Sequence, residues 1–376
     1  MHITVVSGSL DPWTTPDRPD WSGRARHLSE VVDTLAAGGH DIDAVAPGDP
    51  CIDVPAGSPV VHRVAGTAGA PPDRVVDALT ATLRGLWRGG RPDVVHAHHW
   101  TAVLAARSAA PGVPVVQLVH GAAMEADGER GAVERAVLRD VDRVLVTSVE
   151  DRRRLFAAGV EPDRLQIVPA TVDTDEFRPA GPSLRRGERP RLVALGGLGP
   201  RSGAEYAVRA LTGVSAAELL LAGGRPAGEP DADRDRLFAL AVRCGVADRV
   251  RFLGPVARVD VPRLLRSADV VVCPEPFWTT GFGALEAMAC GRAVVSAQVS
   301  AHTDLVVDQV SGLVVAPRDP VALARGLRTV LRGRARSQAL GLAGRNRVEA
   351  AYRRGHGVAS LNRALDRARS RSAVTG

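Results

Sequence analysis

The feature that most constrains this chain is its alternation of short apolar runs with stretches of helical spacing, repeated along the whole sequence. In the first part the runs fall at 3–7, 41–46, 60–64, 94–97, 113–119, 143–147 and 165–168, and the helical stretches at 23–37, 72–89, 101–109, 129–139 and 150–158. Strands separated by helices of roughly ten residues or more are joined by crossovers, not hairpins, and so predict a parallel sheet covered on both faces. Residues 179–190 (PAGPSLRRGERP) break the pattern with Pro, Gly and charge and no apolar face, which reads as an interdomain linker. A second set follows, with strands at 191–195, 218–222, 250–253, 270–273, 293–296 and 312–315 and helices at 203–211, 231–244, 260–267, 283–290, 302–307 and 320–331. The Arg-rich remainder is helical, with a break around Gly355 and Gly357.

A length of 376 residues suits two such domains. The expected class is α/β, with two Rossmann-like doubly wound domains facing across a cleft. Their bounds read as 1–178 and 191–356, and the helix at 357–371 packs back on the first. In open α/β sheets ligands bind beyond the carboxyl ends of the strands. Pattern alone suits transferases, dehydrogenases and binding proteins equally. No GxGxxG follows the first strand, where the sequence runs SGSLDP, and this disfavours a dinucleotide enzyme.

Composition removes further classes. Hydrophobic residues at 45% and charged residues at 24% fill a core and exclude a disordered tail. All 48 basic residues are Arg, so neither Schiff-base chemistry nor a P-loop lysine is available. The net charge of +6 admits anionic partners, but 3% aromatic residues are too few for a single-stranded nucleic-acid platform, and no nucleic acid is expected. The arginines near the C-terminus read as solvated helix faces, with weak contact to an anionic membrane surface as the alternative. Cys51, Cys244, Cys273 and Cys290 lie far apart without a CxxC, and Cys273 and Cys290 read as core thiols. No apolar run reaches about 18 residues, and no signal peptide precedes the first strand, so a cytoplasmic protein is expected.

The segment at 268–291 (ADVVVCPEPFWTTGFGALEAMACG) carries the most chemistry. An apolar strand ends at Cys273, a loop follows, and a helix opens near Gly281 and Gly283. Backbone N–H groups at a helix start attract phosphate oxygens, and glycine lets a ligand approach them closely. Glu286, one turn inside, is placed to accept hydrogen bonds from sugar hydroxyls, a recurring use of an acidic residue on a ribose diol. The alternative is that it only complements the helix dipole.

Here the chain resembles the retaining nucleotide-sugar glycosyltransferases of family 4, which have the two-domain GT-B fold. GFGALEAMACGRAVVSA and HTDLVVDQVSGLVVAPRDPVALA look like the family's second-glutamate helix and its continuation. GRARHLSEVVDTLAAGGHDIDAV, PDVVHAHHWTA, VPVVQLVHG and IVPATVDTDEFRP look like successive pieces of its first domain. The resemblance implies an acceptor-side first domain and a second domain that binds the nucleotide sugar. Glu286 would hold the ribose. Gly281, Phe282, Gly283 and Leu285 would hold the donor sugar and pyrophosphate through the backbone. Leu253 and Val256 would line the base pocket, and Gly23 would face the phosphates. His120 would lie near the reacting face of the sugar and donate to a hydroxyl or to the leaving phosphate. The fold implies no divalent metal and no cofactor beyond the co-substrate. His96, His98 and His99 form an HxHH run without a carboxylate or Cys, and read as acceptor contact or packing. The implied reaction moves the sugar with retention, the leaving diphosphate helping to deprotonate the acceptor.

Three positions depart from the family pattern. In G-R-x-x-x-x-K-G the Arg position is Gly197 and the Lys position Ser202. Arg201 is the substitute in the same loop, with Arg292 and Arg24 as others. Trp278 stands where the family's first glutamate is expected, and Glu275 lies three residues upstream. A rearranged donor site, an unusual donor or acceptor as in antibiotic-tailoring relatives with Trp278 packed on a sugar, and a catalytically weak homologue that binds or scaffolds a partner all remain open. Acceptor contacts are expected from Asp11, Trp13, Trp21, His98, Trp100 and Met124, for a small molecule or glycan.

Overall fold

The computed structural model describes residues 1–9, 23–48, 60–67, 69–119 and 128–375. They form two compact units, each a parallel sheet with helices on both faces. One unit holds Arg24–Pro169 with the first strand and the chain from Gly355 onward; the other holds Ala170–Arg354.

In the first unit the strands are β1 (His2–Ser7), β2 (Asp41–Pro47), β3 (Val60–Val64), β4 (Val94–His98), β5 (Val115–Leu118), β6 (Arg143–Val146) and β7 (Leu165–Ile167), in the order β3-β2-β1-β4-β5-β6-β7. Every pairing is parallel. The central strands are buried along their length, as sheets covered on both faces require. On one face, Leu28, Val32 and Leu35 of helix Gly23–Ala37 share a core with Leu361, Leu365 and Ala368 of the last helix, Arg354–Thr375. The last helix is also tied polar-wise: His40 Nε2 lies 2.8 Å from Asn362 Oδ1, and Gln166 Nε2 donates to the Ser360 carbonyl at 3.0 Å. On the other face, Val75, Leu79 and Leu83 pack with Ala102, Ala105 and Leu138.

The second unit carries β8 (Arg191–Leu195), β9 (Glu218–Ala222), β10 (Val250–Gly254), β11 (Val270–Cys273), β12 (Ala293–Ala297) and β13 (Leu313–Val315), ordered β10-β9-β8-β11-β12-β13 and all parallel. Helix starts are capped by side chains that accept from orphan N–H groups: Asp231 from Asp233 and Arg234, and Asp319 from Val321 and Ala322 ahead of Pro320 at the first turn.

Two expectations change. Residues 179–190 do not hang between the units; they lie along the second. Leu184 packs against its core, the Leu184 N–H donates to the Arg263 carbonyl at 3.2 Å, and Arg266 Nε donates to the Pro182 carbonyl at 2.7 Å. The units part earlier, between Pro169 and Ala170. The C-terminal break falls at Tyr352–Arg353 and not at the glycines, because the Val172 N–H donates to the Tyr352 carbonyl at 2.9 Å and Val172 bridges Arg353 there.

Candidate active site

Strand order reverses at β1 in the first unit and at β8 in the second, so each sheet has one edge where successive crossovers diverge and a ligand can settle. In the second unit that edge is closed by the turn between β11 and helix Phe282–Ala289. Gly281 adopts φ 78°, and a side chain there would begin 2.4 Å from Leu305 Cδ1. Only glycine fits, and its N–H donates to Thr279 Oγ1 at 3.1 Å, which fixes the turn. The helix, FGALEAMA, buries Phe282, Leu285 and Met288 in a core shared with Val256.

Glu286 is the one acidic group in that helix, and it is 1% exposed. It is paired with Arg258, from the turn after β10. Arg258 also lies 3.7 Å from the Glu176 carboxylate and 4.1 Å above the Phe177 ring. Taking a carboxylate out of water costs several kcal/mol unless a cation answers it, and Arg258 is that cation. A carboxylate can accept several hydrogen bonds, so holding Arg258 and receiving a diol are compatible. Gly283 lies in the same first turn, and Leu253 is 37% exposed at the end of β10.

The loop after β8 is built from small residues. Gly196 and Gly197 are exposed and Leu198 is buried. Ser202 Oγ donates to the Gly199 carbonyl at 2.7 Å and accepts from the Ala204 N–H at 3.3 Å, so this hydroxyl closes its own turn. Arg201 is exposed in that turn. Gly203, at φ 72°, lets the loop press on the next one: a Cβ would lie 2.0 Å from the Pro274 carbonyl oxygen. Trp278 is half-buried in the loop after β11. Arg292 cannot supply charge here. It precedes β12 and donates to the Ala268 carbonyl ahead of β11, which places it at the amino end of the sheet, opposite the ligand edge.

Glu275 turns inward, with its Oε2 3.9 Å from His302 Nε2. Among the described residues, Cys273, Glu275 and His302 are the one group of His, Cys, Asp or Glu close enough together to hold a metal ion. Burial, then the Glu275 and Glu286 carboxylates, push the Cys273 thiol well above its ordinary range.

In the first unit the corresponding edge carries histidines. His98 ends β4 and is buried, its ring 4.7 Å from that of His96. Burial, the neighbouring His96 and the Arg26 guanidinium lower His27 to about 3, and burial lowers His96 to about 4. His99 sits at φ 92°, a conformation costly for a side-chain-bearing residue, and Nδ1 lies 2.8 Å from Thr101 Oγ1. Trp100 follows as the first residue of helix Trp100–Ala109. Gly23 is the first residue of helix Gly23–Ala37. His120, Asp11, Trp13, Trp21 and Met124 lie outside the described residues, and so does the side chain of Arg24.

Residue by residue, the second unit brings Val256, Gly281, Phe282, Gly283, Leu285 and Glu286 together and sets Gly197, Ser202 and Arg201 on the neighbouring loop. Arg258 and His302 carried no local signal in the sequence. Arg258 is a lone cation in a short turn, and it meets Glu286 28 residues later only through folding.

Residues 21–176 match the profile of Glycosyltransferase Family 4, and residues 189–333 that of Glycosyl transferases group 1. The D-inositol 3-phosphate glycosyltransferase of Acidothermus cellulolyticus is 30% identical over 88% of this chain and 86% of its own. D-inositol 3-phosphate glycosyltransferase 1 of Catenulispora acidiphila is 32% identical over 90% of this chain and 89% of its own. Among solved structures, the sucrose-phosphate synthase of Thermosynechococcus elongatus superposes with a TM-score of 0.79 at 22% identity, covering 96% of this chain and 97% of that one. HepE of Anabaena, solved with UDP-glucose, gives 0.79 at 18% identity over 97% and 99%.

Proposed function

Since the chain belongs to glycosyltransferase family 4 and has the GT-B fold, we propose that it transfers a sugar from a nucleotide diphosphate to a small-molecule or glycan acceptor, with retention at the anomeric carbon. The observation that carries the donor assignment is Glu286: a buried carboxylate one turn inside a helix that opens on a glycine turn, beside the strand-order reversal. There the turn at Gly281 takes the diphosphate, Glu286 takes the ribose diol, and Leu253 and Val256 border the base. His120 and the leaving diphosphate handle the proton of the acceptor. The enzyme's work is positioning and charge stabilisation, not covalent chemistry. The setting we infer is cytoplasmic, in natural-product or cell-envelope glycoside synthesis. Among the described residues no helix is long and apolar enough to cross a membrane.

A specific observation favours a second reading, a weak homologue that binds without turning over. Gly197 and Ser202 offer no charge to a diphosphate, and the Ser202 hydroxyl is spent inside its own turn. Titration with UDP, GDP, ADP and dTDP separates the readings. One of them should raise unfolding stability by about 2.7 kcal/mol at a hundredfold excess over its Kd. The matching nucleotide sugars are then tried for transfer, with D-inositol 3-phosphate, named for the relatives, as the first acceptor. Binding without transfer to any acceptor supports the second reading; no binding of any nucleotide overturns both.

A further inference from the structure

We propose that Arg318 binds the diphosphate of the donor and supplies the positive charge that Gly197 and Ser202 do not. This rests on the nucleotide-sugar reading above. Arg318 lies in the turn between β13 and helix Pro320–Leu331, so it stands at the carboxyl edge of the second sheet. No motif marks it in the sequence.

Local physics disfavours an arginine at this position. Its φ is 59°, in the left-handed region where a Cβ crowds the following carbonyl oxygen. Asp319 caps the next helix, and a cation one residue ahead of that cap opposes the positive end of the helix dipole. The side chain is exposed, and among the described residues no carboxylate pairs with its guanidinium. What holds it is a ring: Arg318 Cζ lies 5.2 Å from the centroid of Phe277, which is itself 45% exposed in the loop after β11. A guanidinium laid against a ring keeps the N–H donors in its plane for an anion. Strain of this kind collects where a ligand is met. An arginine that breaks two local rules and lacks a carboxylate is accounted for by an anion that the protein does not itself carry.

Its place selects the anion. Phe277 belongs to the loop that ends in the Gly281 turn. Pro274 opens that loop and receives the Gly203 turn, and Tyr206 follows in the first turn of helix Ala204–Ala210. Burial, then the Glu205 carboxylate, raise the Tyr206 phenol, and the Arg318 guanidinium is near enough to oppose them. Arg318 therefore stands where the loops after β8, β11 and β13 meet. The first two border the diphosphate in the reading above, and the third brings the cation. The planar fork of an arginine takes two phosphate oxygens at once, so the backbone N–H groups that open the helix after Gly281 do not carry that charge unaided.

Glycine at this position separates fold from function. Arg318→Gly removes the charge and relaxes the left-handed backbone, so thermal melting should match the parent. Arg318→Asn, also tolerant of that region, is the second neutral variant. The tightest of UDP, GDP, ADP and dTDP is titrated into the full-length protein and both variants, with its monophosphate alongside. The diphosphate should lose at least about tenfold in affinity, the scale of a hydrogen bond to a charged group. The monophosphate, with one phosphate instead of two, should lose less. Arg318→Lys should recover part of the loss, because it keeps a point charge without the fork. Unchanged diphosphate affinity in either folded variant overturns the role of Arg318 and leaves the donor reading standing. Equal losses for the two nucleotides mark a structural effect and overturn it too. If the parent binds none of the four, the donor reading fails and Arg318 loses its ligand with it.

Discussion

The ligand edges of the two units start from the same frame and treat charge in opposite ways. Each is the carboxyl edge of a parallel sheet at its reversal of strand order. In the first unit the buried groups include imidazoles beside the Arg26 guanidinium, and burial keeps His27 and His96 neutral at ordinary pH. In the second the buried group is the Glu286 carboxylate, held against an arginine. The contrast teaches that the fold fixes where a ligand lies while side chains decide what charge it meets. An edge of neutral imidazoles suits exchange of a proton with a hydroxyl. One of paired ions and backbone N–H groups suits a charged, hydroxyl-rich donor.

The sharpest way to break the comparison is to remove the pairing. Arg258→Met leaves the Glu286 carboxylate buried with its cation gone, and unfolding stability should fall by about 3–5 kcal/mol in urea titration. Glu286→Leu should cost less, because the Arg258 side chain is 22% exposed and can reach water. Combining the two should recover most of the stability, since an apolar pair often equals a buried ion pair, yet should recover none of the affinity for the nucleotide identified by titration. Losses that simply add would mean that the two side chains do not depend on each other.

The first unit is tested by acid. A histidine neutral in the fold and ordinary in the unfolded chain makes the unfolded state the better proton acceptor. Its contribution to stability is whole above pH 6.5 and is lost as pH falls toward about 4 for His96 and about 3 for His27. By pH 5 the loss should be about 2 kcal/mol for each. Melting between pH 7 and pH 5 should show a steep acid limb, flattened in His27→Gln/His96→Gln. An unchanged limb in that variant would show that both rings take up protons in the native protein as readily as in the unfolded chain.

Sequence revealed what is local and hid what is not. Continuous apolar runs such as VVVC and LLLA become central strands because both their faces are covered. Gly281 and Glu286 were readable because a strand, a glycine turn and a helix follow within a few residues. The segment at 179–190 was misread because what fixes it comes from Arg266, 84 residues beyond Pro182. Arg258 and His302 were hidden for the same reason. Each is an unremarkable residue in a short element until the parallel sheet brings its strand end beside another.

The turn itself gives a smaller effect. Gly281→Ala puts a side chain into the left-handed region, against Leu305 Cδ1 at 2.4 Å and Ala301 Cβ at 3.2 Å. A loss of about 2 kcal/mol in stability is expected from strain and crowding, with weakened nucleotide binding as the turn shifts.

Ser202→Ala gives the smallest effect and decides what the loop after β8 contributes. The hydroxyl donates across its turn to the Gly199 carbonyl and accepts from Ala204, so its removal should cost about 1 kcal/mol. Because those bonds lie within the turn, affinity for the nucleotide identified by titration should stay within about twofold, the scale of a few tenths of a kcal/mol. A tenfold loss of affinity would instead make Ser202 a phosphate ligand. The second unit would then meet the diphosphate with a neutral hydroxyl as well as with ions, and the contrast in charge between the two edges would narrow to the Glu286 pair alone.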